Sequence, residues 1–368
     1  MTTQASGLTV HNDTLGRRIR AGGWNELAQG TLPLLRDAIA REDAVAIDEL
    51  AAMFEAEMRV IYDIYSQWFA DTKRCLVDKG DTAEGVEALH DGIRAKLAPW
   101  HKCVTQDRSA IWSGIEEKLS RIRSQDVSAV TRTAILDEIQ EAWRDLHDGE
   151  VDQLCGLFDA VMRRHGETAL RDMYENWVIG DWFAKRYKRF DVSHMDWGTA
   201  SWLLTYLGFE GHHGHLSGTE RDGTIDYAED DEKVTISFAP CGSGGRSVAG
   251  EPRDNLPALM EPPFDWPVLQ SEHDFTWSTK GICSYCAHCC ILHETLPVER
   301  FGYPVRVTHP PTYPLTTESR CSWTVYKNLR SIPEEAYARV GATKPGPDVP
   351  LGSAHAAERA KRAAGATA

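Results

Sequence analysis

Six of the nine cysteines lie between Cys241 and Cys321, and this concentration of thiols constrains the chain more than any other feature. Four of the six belong to the segment 281–290 (GICSYCAHCC), which has the spacing Cys-x-x-Cys-x-x-Cys-Cys. Two thiolates separated by two residues can bind one metal ion, because a tight turn brings both sulfurs to the same point. Three such cysteines together with a remote one are also typical of iron–sulfur clusters. The sequence therefore predicts a cysteine-ligated metal centre.

The remote cysteines complete the predicted ligand set, because Cys241 follows one predicted strand and Cys321 precedes another. The predicted metal ligands are Cys241, Cys283, Cys286, Cys289 and Cys321. The three-plus-one spacing favours a [4Fe–4S] cluster, whereas His288 and His293 favour zinc, which accepts mixed nitrogen and sulfur ligands. No Cys-Pro follows the last thiol, which argues against a bacterial ferredoxin type of cluster. A group of reduced, unligated thiols is the third interpretation.

The remaining cysteines, Cys75, Cys103 and Cys155, occur at apolar positions of predicted helices and are expected to be small core residues. An odd number of cysteines leaves at least one thiol unpaired, so a disulfide framework is a poor explanation for them. Residues 1–20 contain no apolar segment typical of a secretory signal. These observations predict a cytoplasmic protein, where thiols remain reduced.

Glycines and one arginine follow Cys241 directly in the segment 242–246 (GSGGR). Gly242, Gly244 and Gly245 would let backbone N–H groups approach a sulfur or a bound anion, and Arg246 would hold a carboxylate or phosphate. The segment is not a phosphate-binding P-loop, since the terminal Lys-Ser/Thr pair is absent. A simple glycine-rich turn would account for the same residues.

Candidates for proton transfer lie on both sides of the thiols. His212 and His215 belong to the segment 211–215 (GHHGH), His288 lies between two of the cysteines, and Glu294 follows them. Imidazole and carboxylate groups are the usual general acids and bases near neutral pH. A solvated loop for the histidines and an exposed helix position for Glu294 are the alternatives without function. Aromatic residues that could form a pocket wall are also frequent here: Trp277, Tyr285, Tyr303, Tyr313 and Trp323.

Apolar spacing divides the 368 residues into two predicted domains and two flexible ends. Residues 21–209 carry apolar side chains at steps of three or four, such as Ile47, Leu50 and Phe54, which indicates a helical bundle. Residues 210–333 have shorter runs, among them Lys233 to Phe238, Val305 to Thr308 and Trp323 to Tyr326, which predict strands. Residues 1–20 are predicted to be a flexible N-terminus and 334–368 a mostly disordered tail. The predicted fold class is α+β: an N-terminal helical bundle followed by a smaller Cys-rich α+β metal-binding domain.

Charge and hydropathy exclude two classes of partner. The chain has 40 Lys and Arg against 55 Asp and Glu, a net charge of −15, so its surface would repel nucleic acid. The most apolar stretches, such as Ala200 to Phe209, are shorter than the roughly 18 residues that a membrane span needs. A small-molecule substrate is the expected partner, and the sequence indicates no oligomeric state.

Together these features predict a cytoplasmic metalloenzyme whose cysteine-ligated centre acts as a Lewis acid on a small anionic organic substrate. Hydrolase or lyase chemistry would follow. Two alternatives belong to other classes. One is an iron–sulfur protein that passes electrons to a partner, and the other is a non-enzymatic module held together by a structural zinc.

Overall fold

The computed structural model describes residues 7–180, 185, 187–316 and 319–357. These residues form a mixed structure of helices and small antiparallel sheets, so the α+β class is confirmed in its broad sense. The helices are α1 (Trp24–Ala28), α2 (Thr31–Ala40), α3 (Ala44–Asp78), α4 (Ala83–Leu97), α5 (Arg108–Arg123), α6 (Ala129–His165), α7 (Thr168–Met173), α8 (Trp197–Gly214), α9 (Gly244–Ala249), α10 (Ala287–Cys290), α11 (Leu296–Phe301) and α12 (Glu334–Ala338). The strands are β1 (Thr9–Asn12), β2 (Arg17–Arg20), β3 (Asp226–Glu229), β4 (Lys233–Phe238), β5 (Val307–His309) and β6 (Cys321–Tyr326).

Several shorter turns complete the described structure. Two are π-helical, Tyr174–Val178 and Ile291–Thr295. The others are 3₁₀ turns: Lys102–Thr105, Lys188–Phe190, Pro252–Asp254, Asp274–Thr276 and Leu329–Ser331. None of the helices in the described ranges combines the length and the apolar composition that crossing a bilayer requires.

Helix α3 shows how the sequence pattern produces a long helix. The Asp43 carboxylate accepts a hydrogen bond from the Ala46 N–H and so caps the first turn. From there Ile47, Leu50 and Phe54 recur on one buried face, as their spacing predicts. The next apolar residues at this spacing, Val86, Leu89, Ile93 and Leu97, predict a second helix and lie in α4, which ends two residues before Pro99.

Helix α6 unites two apolar stripes that the spacing alone predicts as separate: Ile135, Ile139, Trp143 and Leu146, and then Val151, Leu154, Phe158 and Val161. Every residue from Leu146 to Met162 is buried, so this part of the helix passes through the interior. Two glycines make the passage sterically feasible: a Cβ on Gly149 would lie 2.4 Å from the Cys103 sulfur, and one on Gly156 would lie 2.9 Å from Trp266. Glycine lowers helix propensity, but close packing on all sides outweighs that cost here.

Strands β3, β4, β6 and β5 form one antiparallel sheet in that order. The strand predicted at Lys233 to Phe238 is confirmed, β6 begins two residues before the predicted start, and β5 is shifted toward His309. Because β4 pairs with β6, Phe238 lies opposite Cys321. This pairing therefore brings the chain around Cys241 and Cys321 to the same end of the sheet.

The predicted domain limits fall on ordered structure. The limit at 209/210 lies inside α8, and one hydrophobic cluster extends from Leu32 to Val340 across it. Residues 9–20 of the predicted flexible N-terminus form the hairpin β1–β2. In the predicted tail, α12 buries Tyr337. Outside the described residues lie 1–6 and 358–368 of the two ends. Part of the segment from Thr168 to Phe190, whose aromatic-rich sequence predicts a helix, also lies outside them.

Candidate functional site

Four of the five predicted metal ligands line one small cavity of about 40 Å³. Cys241 reaches it from the turn after β4, and Cys321 reaches it from the first position of β6. Cys286 immediately precedes α10, and Cys289 lies within that short helix. Cysteines distant in sequence therefore share one cavity, which we call the thiol cavity. Within the described ranges, no group of three or more His, Cys, Asp or Glu side chains could hold a metal ion as it stands.

Cys283, the fifth predicted ligand, lies behind the wall of the thiol cavity. It is fully buried and hydrogen-bonded to the thiols of Cys155 and Cys286. Those two hydrogen bonds lower the pKa of the Cys283 thiol well below its ordinary value despite burial. Cys155, expected to be a core residue, thus contacts the cluster of thiols from α6.

The three predicted glycines pack as closely as the sequence analysis expects. The Gly245 N–H donates a hydrogen bond to the Cys241 sulfur at 2.9 Å. A Cβ on Gly244 would lie 2.6 Å from the Cys286 sulfur, and a Cβ on Gly242 would lie 1.8 Å from the His215 carbonyl oxygen. Gly244 and Gly245 thus pack directly against the sulfurs of the thiol cavity, whereas Gly242 packs against the His215 carbonyl and does not line that cavity.

Three buried polar atoms of residues lining the thiol cavity have no hydrogen-bond partner among the described residues: His212 Nε2, Thr308 Oγ1 and Trp323 Nε1. The other ring nitrogen of His212, Nδ1, is within 2.8 Å of the Ser217 hydroxyl. Buried polar groups are normally hydrogen-bonded, and each buried group without a partner lowers the stability of the fold by roughly 1–3 kcal/mol. A bound group that presents electron-rich atoms in the cavity would satisfy the Trp323 N–H and the Thr308 hydroxyl.

A second, larger cavity of about 300 Å³ adjoins the thiol cavity. Four residues belong to the walls of both: His215, Tyr285, His288 and Trp323. The larger cavity is walled mainly by apolar and aromatic side chains, among them Ile61, Ile64, Trp68, Leu207 and Leu292. Its size lies at the lower end of the range for small-molecule sites, so we call it the substrate cavity.

His288 stands directly beside Cys289 in the shared wall. Its Nδ1 lies 2.5 Å from the Tyr285 carbonyl oxygen, which can only accept, so Nδ1 carries the proton. The lone pair on Nε2 then faces the Cys289 sulfur at 3.4 Å. Burial lowers the pKa of His288 to about 4, which keeps the ring neutral near pH 7. The imidazole is thus placed to accept a hydrogen bond from the Cys289 thiol.

His215 ends a buried chain of hydrogen bonds that begins on α6. His147 Nδ1 lies 2.8 Å from the Asp148 carboxylate, and His147 Nε2 lies 2.8 Å from His215 Nδ1. The carboxylate accepts the first hydrogen bond, so Nε2 of His147 must accept the second and Nδ1 of His215 must donate it. This order leaves the lone pair on His215 Nε2 at the junction of the two cavities. Burial lowers the pKa of His215 well below its ordinary value, so the ring is neutral.

Two predicted catalytic residues lie away from both cavities. Arg246 is fully buried and pairs with Asp152 and Asp148, so it binds carboxylates of the protein itself. Glu294 accepts hydrogen bonds from the Trp277 indole and the Thr308 N–H and pairs with Arg339. Neither residue lines the thiol cavity or the substrate cavity. Buried acids and bases in such networks hold the fold together.

The sequence analysis missed His147, Asp148 and Arg306. A signal for the first two was present, because the segment 146–154 (LHDGEVDQL) places charged residues where the apolar stripe predicts burial. Arg306 lies between Val305 and Val307 in an otherwise apolar run, which is a sign of a buried cation. Tyr65, which links His147, His215 and Tyr285, gave no signal beyond its place in the stripe of α3.

Comparison with protein-family models, with curated proteins and with solved structures finds no match for this chain.

Proposed function

We propose that the chain is a cytoplasmic metalloenzyme that holds a [4Fe–4S] cluster in the thiol cavity and acts on a small anionic organic molecule in the substrate cavity. The observation that carries the proposal is the wall that the two cavities share at His215, Tyr285, His288 and Trp323. The proposal includes the predicted helical bundle and Cys-rich metal-binding region as the two sides of the site. The cytoplasmic location follows from the need to keep clustered thiols reduced.

We favour a cluster over a single zinc ion because four cysteines line the thiol cavity, enough for the four irons. The four thiols surround about 40 Å³, several times the roughly 10–15 Å³ that one water-sized sphere needs, so there is room for more than one atom. The Gly245 N–H donates to the Cys241 sulfur, and hydrogen bonds of this kind to sulfur tune iron–sulfur centres. Zinc with mixed ligands remains the alternative, with His212 as the nitrogen ligand.

Cys289 is the thiol best suited to leave the centre. It is partly exposed, whereas Cys241, Cys286 and Cys321 are buried. Burial and the nearby Cys241 raise the pKa of its thiol, and the charge of Arg306, a residue that lines the substrate cavity, partly offsets this rise. His288 Nε2 faces its sulfur as a hydrogen-bond acceptor. We therefore assign Cys241, Cys286 and Cys321 as permanent ligands and Cys289 as an exchangeable one.

With Cys289 displaced, such a centre would supply a Lewis-acidic iron that polarises an oxygen of the substrate, which suits hydrolase or lyase chemistry. Side chains of the protein itself accept the proton that the substrate releases. His215 Nε2 accepts it at the junction of the cavities, and the ionised Asp148 stabilises the charged imidazole pair through His147. The apolar walls of the substrate cavity keep bulk water away from this transfer.

The tautomers on which this proton path depends can be observed directly. In a neutron structure near pH 7 we expect a deuteron on Nδ1 of both His147 and His215 and none on Nε2 of His215. The reason is that Asp148, held ionised by Arg221 and Arg246, fixes the order of donors and acceptors. A deuteron on His215 Nε2 with an empty Nδ1 would remove His215 as the base.

The centre itself is tested on protein prepared without oxygen. We expect a brown protein with broad visible absorption and about four iron and four sulfide per chain. A colourless protein with one zinc per chain would replace the cluster by the alternative metal. Protein that contains neither metal after reconstitution with iron, sulfide or zinc would overturn the proposal.

A second candidate function is electron transfer without Lewis-acid chemistry. It is favoured by the observation that four thiols line the thiol cavity, enough to ligate every iron of a cluster. This candidate predicts that Cys289 is as necessary for the cluster as the other three thiols, and a variant series decides the point.

A further inference from the structure

Arg306 is a buried guanidinium on the wall of the substrate cavity, and within the described ranges it has no carboxylate partner. The residue is only 6% exposed. Nη2 donates to the Leu204 carbonyl oxygen at 2.6 Å, and Nη1 lies 3.5 Å from His293 Nε2. Nε has no hydrogen-bond partner in the part of the chain that the structure describes. Buried charges in proteins are normally paired, so this cation requires an anion.

The surroundings of Arg306 keep its charge available. Its guanidinium carbon lies 4.6 Å from the centre of the Trp323 ring, which belongs to the shared wall. His293 Nδ1 lies 2.9 Å from the Tyr187 hydroxyl, and burial and the charge of Arg306 lower the pKa of His293, so this ring stays neutral. Burial lowers the pKa of Arg306 itself, but a guanidinium does not lose its proton in proteins.

The other charged residues of this cavity are already engaged. Arg17 pairs with Glu210, and Glu57 accepts a hydrogen bond from Thr31 and contacts His213. Arg189 also lines the cavity, and its guanidinium stands 6.0 Å from the Phe190 ring.

We infer that Arg306 is the binding group for the carboxylate of an organic acid that occupies the substrate cavity. A guanidinium presents planar N–H donors that match a carboxylate, and here they stand in a mainly apolar cavity where the interaction is strong. One guanidinium balances the single charge of a carboxylate but not the second charge of a phosphate. Of the other described arginines on this wall, Arg17 is paired with Glu210 and Arg189 is also engaged. The inference replaces Arg246 by Arg306 as the residue that orients the substrate, and in naming the substrate as an organic acid it rests on the proposed function.

The inference predicts selective binding of a carboxylate, which can be measured by calorimetry with benzoate and its neutral analogue benzamide. We expect the anaerobically prepared protein to bind benzoate at least about tenfold more tightly than benzamide, since a hydrogen bond between charged groups is stronger than one to a neutral amide. Arg306→Gln should remove the preference, and Arg306→Lys should restore part of it. Inorganic phosphate should not compete with benzoate.

The exposed Arg253→Gln is the matched control and should keep the preference of the unmodified protein. Iron content and circular dichroism of each variant, measured on the same samples, separate loss of the cluster or the fold from loss of the anion site. Equal binding of benzoate and benzamide by a folded, iron-loaded protein would overturn the assignment of Arg306 while leaving the cluster intact. Selective binding of benzoate by protein without iron would support Arg306 and count against the cluster. Competition by phosphate would contradict the choice of a carboxylate.

Discussion

Cys286→Ser is expected to abolish the metal centre, reducing bound iron from about four per chain to nearly none and removing the visible absorption. The same result is expected for Cys241→Ser and Cys321→Ser, because each of these thiols also lines the thiol cavity. Serine is nearly the same size, so packing is retained while the soft sulfur ligand is lost. The measurement is iron and sulfide analysis with absorption spectra on protein prepared without oxygen.

Cys289→Ser distinguishes the two candidate functions. If Cys289 is exchangeable, this variant keeps most of its iron and shows an altered spectrum. If it loses iron as completely as Cys286→Ser, the cluster is closed by four cysteines and the electron-transfer candidate takes precedence. Its partial exposure and the adjacent His288 lead us to expect the first result.

Two matched variants serve as controls for this series. Cys75→Ser removes a buried thiol of α3 and should leave the iron content unchanged. Cys283→Ser removes the predicted ligand that lies behind the wall, and we expect iron to be retained there too. Loss of iron from Cys283→Ser equal to that from Cys286→Ser would show that the segment from 281 rearranges around the metal and that our ligand set is wrong.

The sequence predicted the elements that depend on local periodicity. The stripe from Ile47 and the alternation from Lys233 to Phe238 correspond to α3 and β4, since apolar spacing alone determines which side of an element is buried. The union of two stripes into α6 was missed, because it depends on what packs against Gly149 and Gly156. Sequence spacing contains no information on those neighbours.

The candidate site was also predictable only where it depends on the sequence pattern and not on tertiary neighbours. The shared cavity of Cys241, Cys286, Cys289 and Cys321 was predictable, because clustered thiols at metal-ligand spacing seldom arise from packing requirements alone. The partners of individual charged residues could not be predicted from the sequence. Arg246 and Arg306 are both buried arginines near the thiols, yet one faces Asp148 and Asp152 and the other faces a cavity. That difference depends on α6 lying behind Arg246, which only the tertiary structure shows.

The second large effect is on stability: Arg246→Gln should lower the free energy of unfolding by about 3–5 kcal/mol near pH 7. The substitution removes one of two cations beside Asp152, although Asp148 keeps Arg221. The second cation is His101, because its hydrogen bonds to Asp145 and Asp152 outweigh burial and raise its pKa to about 9. His101 and Ser247 still contact Asp152, which limits the loss. Urea unfolding followed by circular dichroism measures the change. Arg163→Gln, which removes an exposed partner of Asp159, should cost less than about 1 kcal/mol.

A double variant tests whether the effect arises from the pair itself. Adding Asp152→Asn to Arg246→Gln removes the uncompensated charge, so the two losses should not add and the cycle should give a coupling of at least about 1 kcal/mol. Additive losses would show that Arg246 stabilises the fold by packing and not by its charge. In that case Asp152 would contribute to the free energy of unfolding independently of Arg246.

The pH dependence of the unfolding free energy tests the direction of the Asp152 pKa shift. Burial alone would raise the pKa of Asp152, but Arg246 and His101 together outweigh burial, and the pKa of Asp152 is lowered from its ordinary value. A carboxyl with a lowered pKa in the folded state stabilises the protein above its unfolded pKa of about 3.9, and that contribution is lost as the pH falls through the folded value. In Arg246→Gln the Asp152 pKa should rise. Below about pH 4 the unfolding free energies of the variant and the unmodified protein should therefore converge, because protonated Asp152 no longer needs its cation.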